Sequence, residues 1–350
     1  MEKRLSVNLQ GGRHSDVYFS SSFDDLLKKT EEWGDNVFWV FDENSAKLLF
    51  SLPEKRIVLE SGEIHKNISS LEAIISSALE SGAARDTRFI AFGGGVILDM
   101  CALASSLYMR GARLTLIPTT LLSMVDATLG GKSAIDYKGG KNLVGTFYPA
   151  DEILIEVSTL STLPDKEFRC GMGEVIKHAF LSSSTELFGF LEANKDAIEK
   201  RDRSTLETLV LMSLEVKKEF LEKDPLETKG IRSFLNLGHT FAHALESMEG
   251  YSVSHGEAVA WGLGRAIEAS SGLGLVSQSF STSSLNLLRS YGYDVDYRIG
   301  KDQWEPFLQA MRKDKKKSNG VVNFVLLKGF GEPLLMPLED DFVSSLTVSP

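Results

Sequence analysis

The chain has 350 residues, of which 43% are hydrophobic and 25% charged, and its formal net charge is -10. This charge disfavours nucleic acid as a partner, and no apolar run approaches the roughly 20 residues that cross a bilayer, so we expect no membrane partner either. The first residues have basic groups but no apolar segment after them, so we predict no secretory signal and a cytoplasmic location.

The first part of the chain alternates short β-rich segments with helical patterns. Apolar runs predict strands at 36–42 and 56–60, and apolar residues at helical spacing predict a helix at 69–82. Two more strands, in TRFIAFGGG and ARLTLIPTT, flank a helix that begins near Val96. Because this alternation is typical of a mostly parallel sheet, we predict an α/β domain over 1–158.

The pattern changes from about Leu160, where segments such as PDKEFRCGMGEVIKHAFL and STLETLVLMSLEVKKEFLEKD have helical spacing. These segments predict a second, mainly α-helical domain over 159–350, since 350 residues exceed one comfortable core. A strand pair is expected in GVVNFVLLKGFGEPLLMPL and a loop in the serine-rich SQSFSTSSLN. The cysteines, Cys101 and Cys170, have no CxxC partner and are expected to be buried thiols.

The segment AFGGGVILD is a candidate phosphate-binding turn. A strand that ends in three glycines and runs into a helix brings backbone N–H groups close to an anion, which favours a dinucleotide pyrophosphate. Leu98 stands where the third glycine of the full fingerprint would be, so a simple tight turn is the alternative. Asp42 could hold a ribose hydroxyl, although it precedes the glycines, and Thr119, Thr120 and Asp126 follow the next strand.

A second glycine-rich segment, GGKSAIDYKGGKN at 130–142, is predicted to be a loop that binds phosphate or another small anion, with Arg110 within reach. It lacks the GxxxxGK[ST] spacing, so hydrolysis of a nucleoside triphosphate is not indicated. An ordinary surface loop is the alternative.

The chain has only six histidines, and three of them lie close together in the sequence. The stretch NLGHTFAHALE at 236–246 has helical spacing and places His239 and His243 on one face, and a glycine turn could bring His255 back to it. Imidazoles suit zinc, and a catalytic site would add a carboxylate. Spacing alone does not choose among the carboxylate candidates Glu174, Glu246 and Glu257, and buried core histidines are the alternative.

Seven segments, in the same order along the chain, resemble the 3-dehydroquinate synthases, a family of sugar phosphate cyclases. The matching segments between 93 and 262 are GGGVILD, YMRG, IPTTLLSMVDATLGGKSAID, GGKNLVGTFY, TLSTLPDKEFRCGMGEVIKHAFL, LNLGHTFAHALE and SHGEAVAWG.

The resemblance implies an α/β NAD-binding domain followed by a helical metal- and substrate-binding domain, in a homodimer. It implies the conversion of the phosphorylated small molecule 3-deoxy-D-arabino-heptulosonate 7-phosphate to 3-dehydroquinate and phosphate. The steps would be transient oxidation by NAD, phosphate elimination, re-reduction and intramolecular aldol closure. It also implies a divalent metal, with zinc preferred over cobalt.

The resemblance also implies roles for individual residues. The metal ligands would be Glu174, His239 and His255, with His243 beside the substrate. NAD would lie against Asp42, Glu63, Lys66, Gly94, Gly95, Val96, Asp99, Thr119, Thr120, Leu122, Asp126, Lys141, Thr162 and Leu163. Substrate would be bound by Arg110, Lys132, Asn142, Lys177, Lys217, Arg232, Asn236, His243 and Lys316, among which Lys132, Asn142, Lys177, Arg232 and His243 are the predicted catalytic residues.

Two of these assignments carry a qualification from the sequence, and two nearby residues receive no assignment. Arg110 would be donated by a neighbouring subunit, and Lys315 is the alternative match for Lys316. An extra residue in DPLETKGIR leaves Asp224 and Glu227 without an assigned role.

Three other functions compete with this interpretation. A related cyclase could act on sedoheptulose 7-phosphate or glucose 6-phosphate, but substrates without a carboxylate have less use for Arg232. A metal-dependent polyol or alcohol dehydrogenase would accumulate NADH, whereas a cyclase regenerates its NAD. A non-enzymatic protein of this fold predicts damaged ligands, whereas all three ligand positions hold competent residues.

Overall fold

A computed structural model describes residues 1–9, 13–250, 253–315 and 322–349, with the backbone alone at 313–315. The strands are β1 (Glu2–Asn8), β2 (His14–Phe19), β3 (Val37–Asp42), β4 (Arg56–Leu59), β5 (Arg88–Gly93), β6 (Arg113–Pro118), β7 (Lys132–Tyr137), β8 (Gly140–Phe147), β9 (Glu152–Ile155), β10 (Asn323–Leu327) and β11 (Pro333–Pro337). The helices are α1 (Phe23–Glu31), α2 (Ile68–Glu80), α3 (Gly95–Leu107), α4 (Asp165–Leu181), α5 (Glu186–Ala193), α6 (Lys195–Glu199), α7 (Arg203–Lys223), α8 (His239–Met248), α9 (His255–Gly272), α10 (Gln278–Ser290), α11 (Trp304–Lys315) and α12 (Asp340–Thr347).

The chain divides into two compact units, which we call the first and the second unit. The first unit comprises Met1–Phe168 and Arg201–Thr228, and the second comprises Arg169–Lys200 and Lys229–Pro350. The first unit therefore includes α7, which the sequence analysis placed in a domain beginning at 159. Arg203 at the start of α7 pairs with Glu156 at 2.6 Å, which ties this helix to the segment after β9.

A seven-stranded sheet in the order β1-β2-β9-β6-β5-β3-β4 forms the first unit. Strand β1 is antiparallel to β2, and every other neighbouring pair in this sheet is parallel. The predicted mostly parallel sheet is therefore confirmed.

The core of this unit contains aromatic side chains from adjacent strands. Trp39 stacks on Phe41 with ring centroids 5.5 Å apart, and Phe41 lies 5.5 Å from Phe92. All six residues of β5 are buried, as expected for a strand covered on both faces. Full burial of the large apolar side chains among them, Phe89, Ile90 and Phe92, contributes about 1.5–3 kcal/mol of hydrophobic stabilisation each.

The glycine-rich segment 130–142 is not a loop as predicted, because β7 and β8 form an antiparallel hairpin with its own two-stranded sheet. Lys138 and Gly139 at its tip have φ of 48° and 79°. Two consecutive positive φ values match the tight turn whose twist suits a hairpin. Ser133 and Ile135 alternate inward along β7, so the segment also has a strand period.

The second unit is mainly helical, with the predicted strand pair present as the antiparallel hairpin β10–β11. The predicted loop in SQSFSTSSLN is wrong, because these residues belong to α10. Ser277 caps α10 by accepting the N–H of Phe280, and Ser281, Ser284 and Leu285 face inward. None of the helices among the described residues has both the length and the apolar composition needed to cross a membrane. Cys101 and Cys170 are buried, as predicted.

Candidate functional site

Helices α4 and α9 of the second unit approach each other so closely that their backbones touch. A Cβ atom added to Gly256 would lie 2.1 Å from the carbonyl oxygen of Cys170, and one added to Gly173 would lie 2.5 Å from the carbonyl oxygen of Gly256. Only glycine permits this approach. The contact brings the next residue of α4, Glu174, and the preceding residue of α9, His255, to the same place.

A second glycine contact brings α8 to α9. A Cβ atom at Gly262 would lie 2.2 Å from the carbonyl oxygen of Gly238. Gly238 has a left-handed φ of 80°, and α8 begins at the next residue, His239. The predicted continuous helix over 236–246 is therefore interrupted at Gly238, which positions the imidazole of His239 at a helix start.

The two contacts bring together the side chains of Glu174, His239 and His255. Their ligand atoms all lie within 4.8 Å of one another. Glu174 Oε1 is 3.5 Å from Nε2 of His239 and 3.5 Å from Nε2 of His255. Among the three carboxylates that the sequence left open, the structure thus places Glu174 against both imidazole Nε2 atoms.

The donor set of this cluster suits a divalent transition metal. Glu174 is fully buried, and its Oε1 makes no hydrogen bond to any described residue. Nδ1 of His239 lies 3.2 Å from the carbonyl oxygen of Leu237, and Nδ1 of His255 lies 3.3 Å from Oε1 of Glu246. If each Nδ1 donates its proton there, each Nε2 keeps a lone pair that faces the carboxylate.

The charges in the cluster are strongly coupled. Burial opposes ionisation of Glu174, but the ammonium of Lys177 and the two imidazoles hold the pKa of this carboxyl well below its usual value. Burial and the Lys177 ammonium lower the pKa of His239 to about 3. For His255 burial acts in the same direction, yet the nearby carboxylates of Glu174 and Glu246 raise its pKa to about 10.

His243 lies beside this cluster without belonging to it. Its ring centroid is 5.3 Å from that of His239 and 6.5 Å from that of His255, and the side chain is exposed. Two further predicted substrate residues lie on the turn Arg232–Asn236, where Arg232 is 4% exposed and Asn236 is exposed.

In the first unit, most of the predicted cofactor residues follow the carboxyl ends of parallel strands. Such ends share one edge of a sheet, where ligands of α/β proteins commonly bind. At this edge Asp42 is the last residue of β3, and the residues that follow β4, β5, β6 and β9 are Glu63, Lys66, Gly94, Gly95, Val96, Thr119, Thr120, Thr162 and Leu163. Leu122 directly precedes the helical turn Ser123–Ala127, and Asp126 lies within it. Asp99 lies on α3.

The turn between β5 and α3 has the character of an anion site. Gly94 is the N-cap residue of α3, and no described side chain caps this helix end. A Cβ atom at Gly94 would lie 3.3 Å from Thr120 Cγ2, so a side chain would crowd the space in front of the helix. Uncapped N–H groups at a helix N-terminus favour a phosphate.

Lys66 links one predicted cofactor residue to one predicted substrate residue. Its Nζ donates hydrogen bonds of 2.6 Å to Asp99 Oδ2 and 2.6 Å to Asn142 Oδ1. Burial raises the pKa of Asp99 to about 6, against the opposing effect of Lys66. Asn142, on β8, also donates its backbone N–H to Asp136.

Two other predicted lysines of the first unit have acidic partners. Lys217 on α7 donates to both the backbone carbonyl and the carboxylate of Asp126. Lys132 Nζ lies 2.5 Å from Oε2 of Glu227, a residue to which the sequence analysis assigned no role. The extra residue in its segment hid this pairing, and spacing offered no other signal.

Three predicted residues remain to be located. Arg110 lies in the turn before β6, at the amino-terminal edge of the sheet, and Lys141 is exposed on β8. Lys316 lies outside the described residues, and so does the side chain of Lys315.

Comparison with known proteins gives a consistent family. Residues 56–170 match the family model for the N-terminal part of 3-dehydroquinate synthase, and residues 171–317 match that for its C-terminal part. The 3-dehydroquinate synthase of Francisella tularensis subsp. holarctica (strain FTNF002-00 / FTA) is 40% identical over 288 residues, which cover 82% of this chain and 79% of the relative.

Two solved structures of other synthases share the fold. A 2-deoxy-scyllo-inosose synthase in complex with carbaglucose-6-phosphate, NAD+ and Co2+ has a TM-score of 0.83 and 23% identity, with 98% of each chain covered. The 2-epi-5-epi-valiolone synthase from Streptomyces hygroscopicus subsp. jinggangensis 5008, with NAD+ and Zn2+ bound, has a TM-score of 0.84 and 22% identity, again with 98% of each chain covered. With both halves matched and 40% identity to a curated relative, the chain belongs to the 3-dehydroquinate synthase family.

Proposed function

We propose that the protein is a 3-dehydroquinate synthase that converts 3-deoxy-D-arabino-heptulosonate 7-phosphate to 3-dehydroquinate and phosphate. The observation that carries the proposal is the cluster of Glu174, His239 and His255 in a chain of this family. Family membership indicates the reaction, and the cluster offers three side chains that could bind the metal for its metal-dependent steps.

A divalent metal, zinc first and cobalt second, would be held by Glu174, His239 and His255. When bound, it would lower the pKa of a coordinated substrate hydroxyl and so prepare the carbon for hydride transfer to NAD. Glu174 offers an ionised carboxylate because of its cationic neighbours. The two Nε2 atoms complete three protein ligands, which leaves a position for substrate.

We propose that NAD binds at the carboxyl edge of the first unit's sheet. The uncapped N-terminus of α3 would hold the pyrophosphate, and Asp42 at the end of β3 would hold a ribose hydroxyl. One oxygen of Asp42 already accepts the backbone N–H groups of Asn44 and Ser45, which fixes the orientation of its carboxylate.

The substrate roles follow from charge and hydrogen-bonding capacity. The predicted substrate residues Lys132, Asn142 and Lys217 lie on the first unit, and Lys177, Arg232, Asn236 and His243 lie on the second. Ammonium groups and an amide suit the phosphate and hydroxyls, and a guanidinium suits the carboxylate of the heptulosonate through two parallel hydrogen bonds. We also propose a homodimer, with Arg110 donated to the neighbouring subunit, and a cytoplasmic location.

The direct test follows two signals in one reaction. The purified protein is mixed with NAD+, Zn2+ and 3-deoxy-D-arabino-heptulosonate 7-phosphate while released phosphate and absorbance at 340 nm are recorded. We expect continuous phosphate release without lasting NADH, because NAD+ is reduced and then reoxidised within each turnover.

Glu174→Ala, which should lose the metal, is the matched control for background phosphate release. Absence of phosphate release by the unmodified protein would refute the proposal. Phosphate released from sedoheptulose 7-phosphate or glucose 6-phosphate instead would assign a related cyclase, and net NADH from a polyol would assign a dehydrogenase.

A further inference from the structure

Glu246 is a buried acidic residue of the second unit to which the proposed mechanism gives no direct contact with metal or substrate. It lies on α8 and is 5% exposed. Its Oε1 is 3.3 Å from Nδ1 of His255, while Nε2 of the same ring is 3.5 Å from Glu174 Oε1. The imidazole therefore lies between two carboxylates, one at each ring nitrogen.

The position of Glu246 on its helix follows from helical spacing. His239, His243 and Glu246 are separated by four and three residues, so all three lie on one face of α8. One helix thus presents His239 as a candidate ligand and Glu246 as a partner of His255. The glycine contact at Gly238 and Gly262 fixes the approach of this helix to α9 and with it the separation of Glu246 from His255.

The two histidines differ in the partner of Nδ1. Nδ1 of His239 faces the neutral backbone carbonyl of Leu237, whereas Nδ1 of His255 faces a carboxylate. A carboxylate accepts the Nδ1 proton more strongly than a carbonyl does and makes the opposite nitrogen a better electron donor. We therefore expect metal binding through His255 to depend on its side-chain partner, Glu246.

We infer that Glu246 is a positioning residue of the metal centre, which holds the Nδ1 proton of His255 so that its Nε2 lone pair faces the metal. The inference rests on the proposed function, because it assumes that Glu174, His239 and His255 bind a divalent cation. A hydrogen bond from Nδ1 to Glu246 would hold the imidazole in place, with Nε2 facing Glu174. The ring would then have one tautomer and one orientation.

The test measures metal affinity rather than turnover. Zinc affinity of the metal-free full-length protein is determined by competition with a chromophoric chelator, and the absorption spectrum of the Co2+ form reports coordination geometry. We expect Glu246→Ala to weaken zinc binding about 10- to 100-fold, the usual effect of losing such an outer partner. We expect Glu246→Gln, whose amide oxygen can still accept the Nδ1 proton, to weaken it less.

Glu249→Gln is the matched control. Glu249 lies at the end of the same helix and forms a hydrogen bond with Gln303 at 3.3 Å. Its substitution removes one negative charge at the end of α8, so unchanged zinc affinity would exclude a general charge effect. If Glu246→Ala does not fold by circular dichroism, the nearly isosteric Glu246→Gln decides the test through its affinity and its Co2+ spectrum.

The outcomes separate this inference from the proposed function. If folded Glu246 variants bind zinc as tightly as the unmodified protein, with the same Co2+ spectrum, Glu246 has no positioning role even though the centre exists. If the unmodified protein binds no zinc, the centre and the inference fail together. Tight zinc binding that depends on Glu246 in a protein that releases no phosphate would uphold the inference and refute the proposed reaction.

Discussion

The charge of Glu174 depends on its neighbour one helical turn away. The Glu174 side chain is fully buried, and the ammonium of Lys177, 3% exposed, forms an ion pair with it. A buried carboxylate without a cation would carry an uncompensated charge, which costs several kcal/mol. Lys177 therefore keeps the carboxylate ionised before a metal arrives.

We predict that Lys177→Met lowers the free energy of unfolding of the metal-free protein by about 3–5 kcal/mol, as measured by urea denaturation. Zinc should recover part of this loss, because the cation supplies the missing positive charge. Lys195→Met is the control, since the exposed pair between Lys195 and Glu199 should contribute no more than about 1 kcal/mol. Equal stabilities of the two variants would contradict the role of Lys177.

Lys132 on β7 offers a more exposed ammonium, with 57% of its side chain accessible. We predict that Lys132→Ala lowers kcat/KM by two or more orders of magnitude, because a charge-assisted contact to a phosphate is lost. Steady-state kinetics on 3-deoxy-D-arabino-heptulosonate 7-phosphate test this value. Lys138→Ala, at the tip of the same hairpin, should leave kcat/KM unchanged, and an unchanged value for Lys132→Ala would remove Lys132 from the site.

At the scale of elements, the glycine contacts determine where the candidate ligands meet. Gly173 and Gly256 leave no space for a methyl group between α4 and α9. Adding a methyl group there must push the helices apart or strain their backbones, which typically costs 1–3 kcal/mol. A displacement of even a fraction of an ångström would also separate Glu174 from His255.

We predict that Gly256→Ala lowers both the unfolding free energy, by about 1–3 kcal/mol, and the zinc content of the purified protein. Gly189→Ala is the matched control, because Gly189 lies inside α5 and an added Cβ would meet nothing within 4 Å. That change should leave zinc content unaltered and stabilise the helix by up to about 1 kcal/mol. Full zinc content in Gly256→Ala would show that the contact does not set the ligand geometry.

Local patterns predicted the elements well where one signal dominated. Strands β3, β5 and β6 are rich in apolar residues, and the structure confirms them. The patterns failed where composition concealed the period, as in α10, whose serines partly face inward, and in the hairpin β7–β8, whose glycines resembled a loop. The left-handed Gly238, after which α8 begins, has no local sequence signal besides the glycine itself.

At the scale of the molecule, the candidate metal centre joins three helices of the second unit, and metal binding should be coupled to folding. A ligand that binds only the folded state at 100 times its dissociation constant stabilises a protein by about 2.7 kcal/mol. We predict that zinc raises the Tm of the protein and that a chelator reverses the change, as followed by thermal melting. Glu174→Gln should show no zinc-dependent rise, and a rise equal to that of the unmodified protein would exclude Glu174 as a ligand.

The sequence could predict the class of fold and the presence of a metal site, but residue spacing alone could not choose the ligands. Glu174, Glu246 and Glu257 were equivalent by spacing, because their distances from the histidines depend on how α4, α8 and α9 pack. The family resemblance favoured Glu174, and the structure places Glu174 against both Nε2 atoms, although its role as a ligand stays a prediction. The pairing of Lys132 with Glu227 likewise depends on tertiary structure that spacing does not encode.

The order of the three helices along the chain has a consequence for folding kinetics. Helices α8 and α9, which carry His239 and His255, are consecutive, whereas α4 with Glu174 lies far earlier in the sequence. Contacts between neighbouring elements close short loops and form sooner than distant ones. We therefore expect the two imidazoles to come together on a helical hairpin before α4 docks, and docking of α4 to add the carboxylate of Glu174.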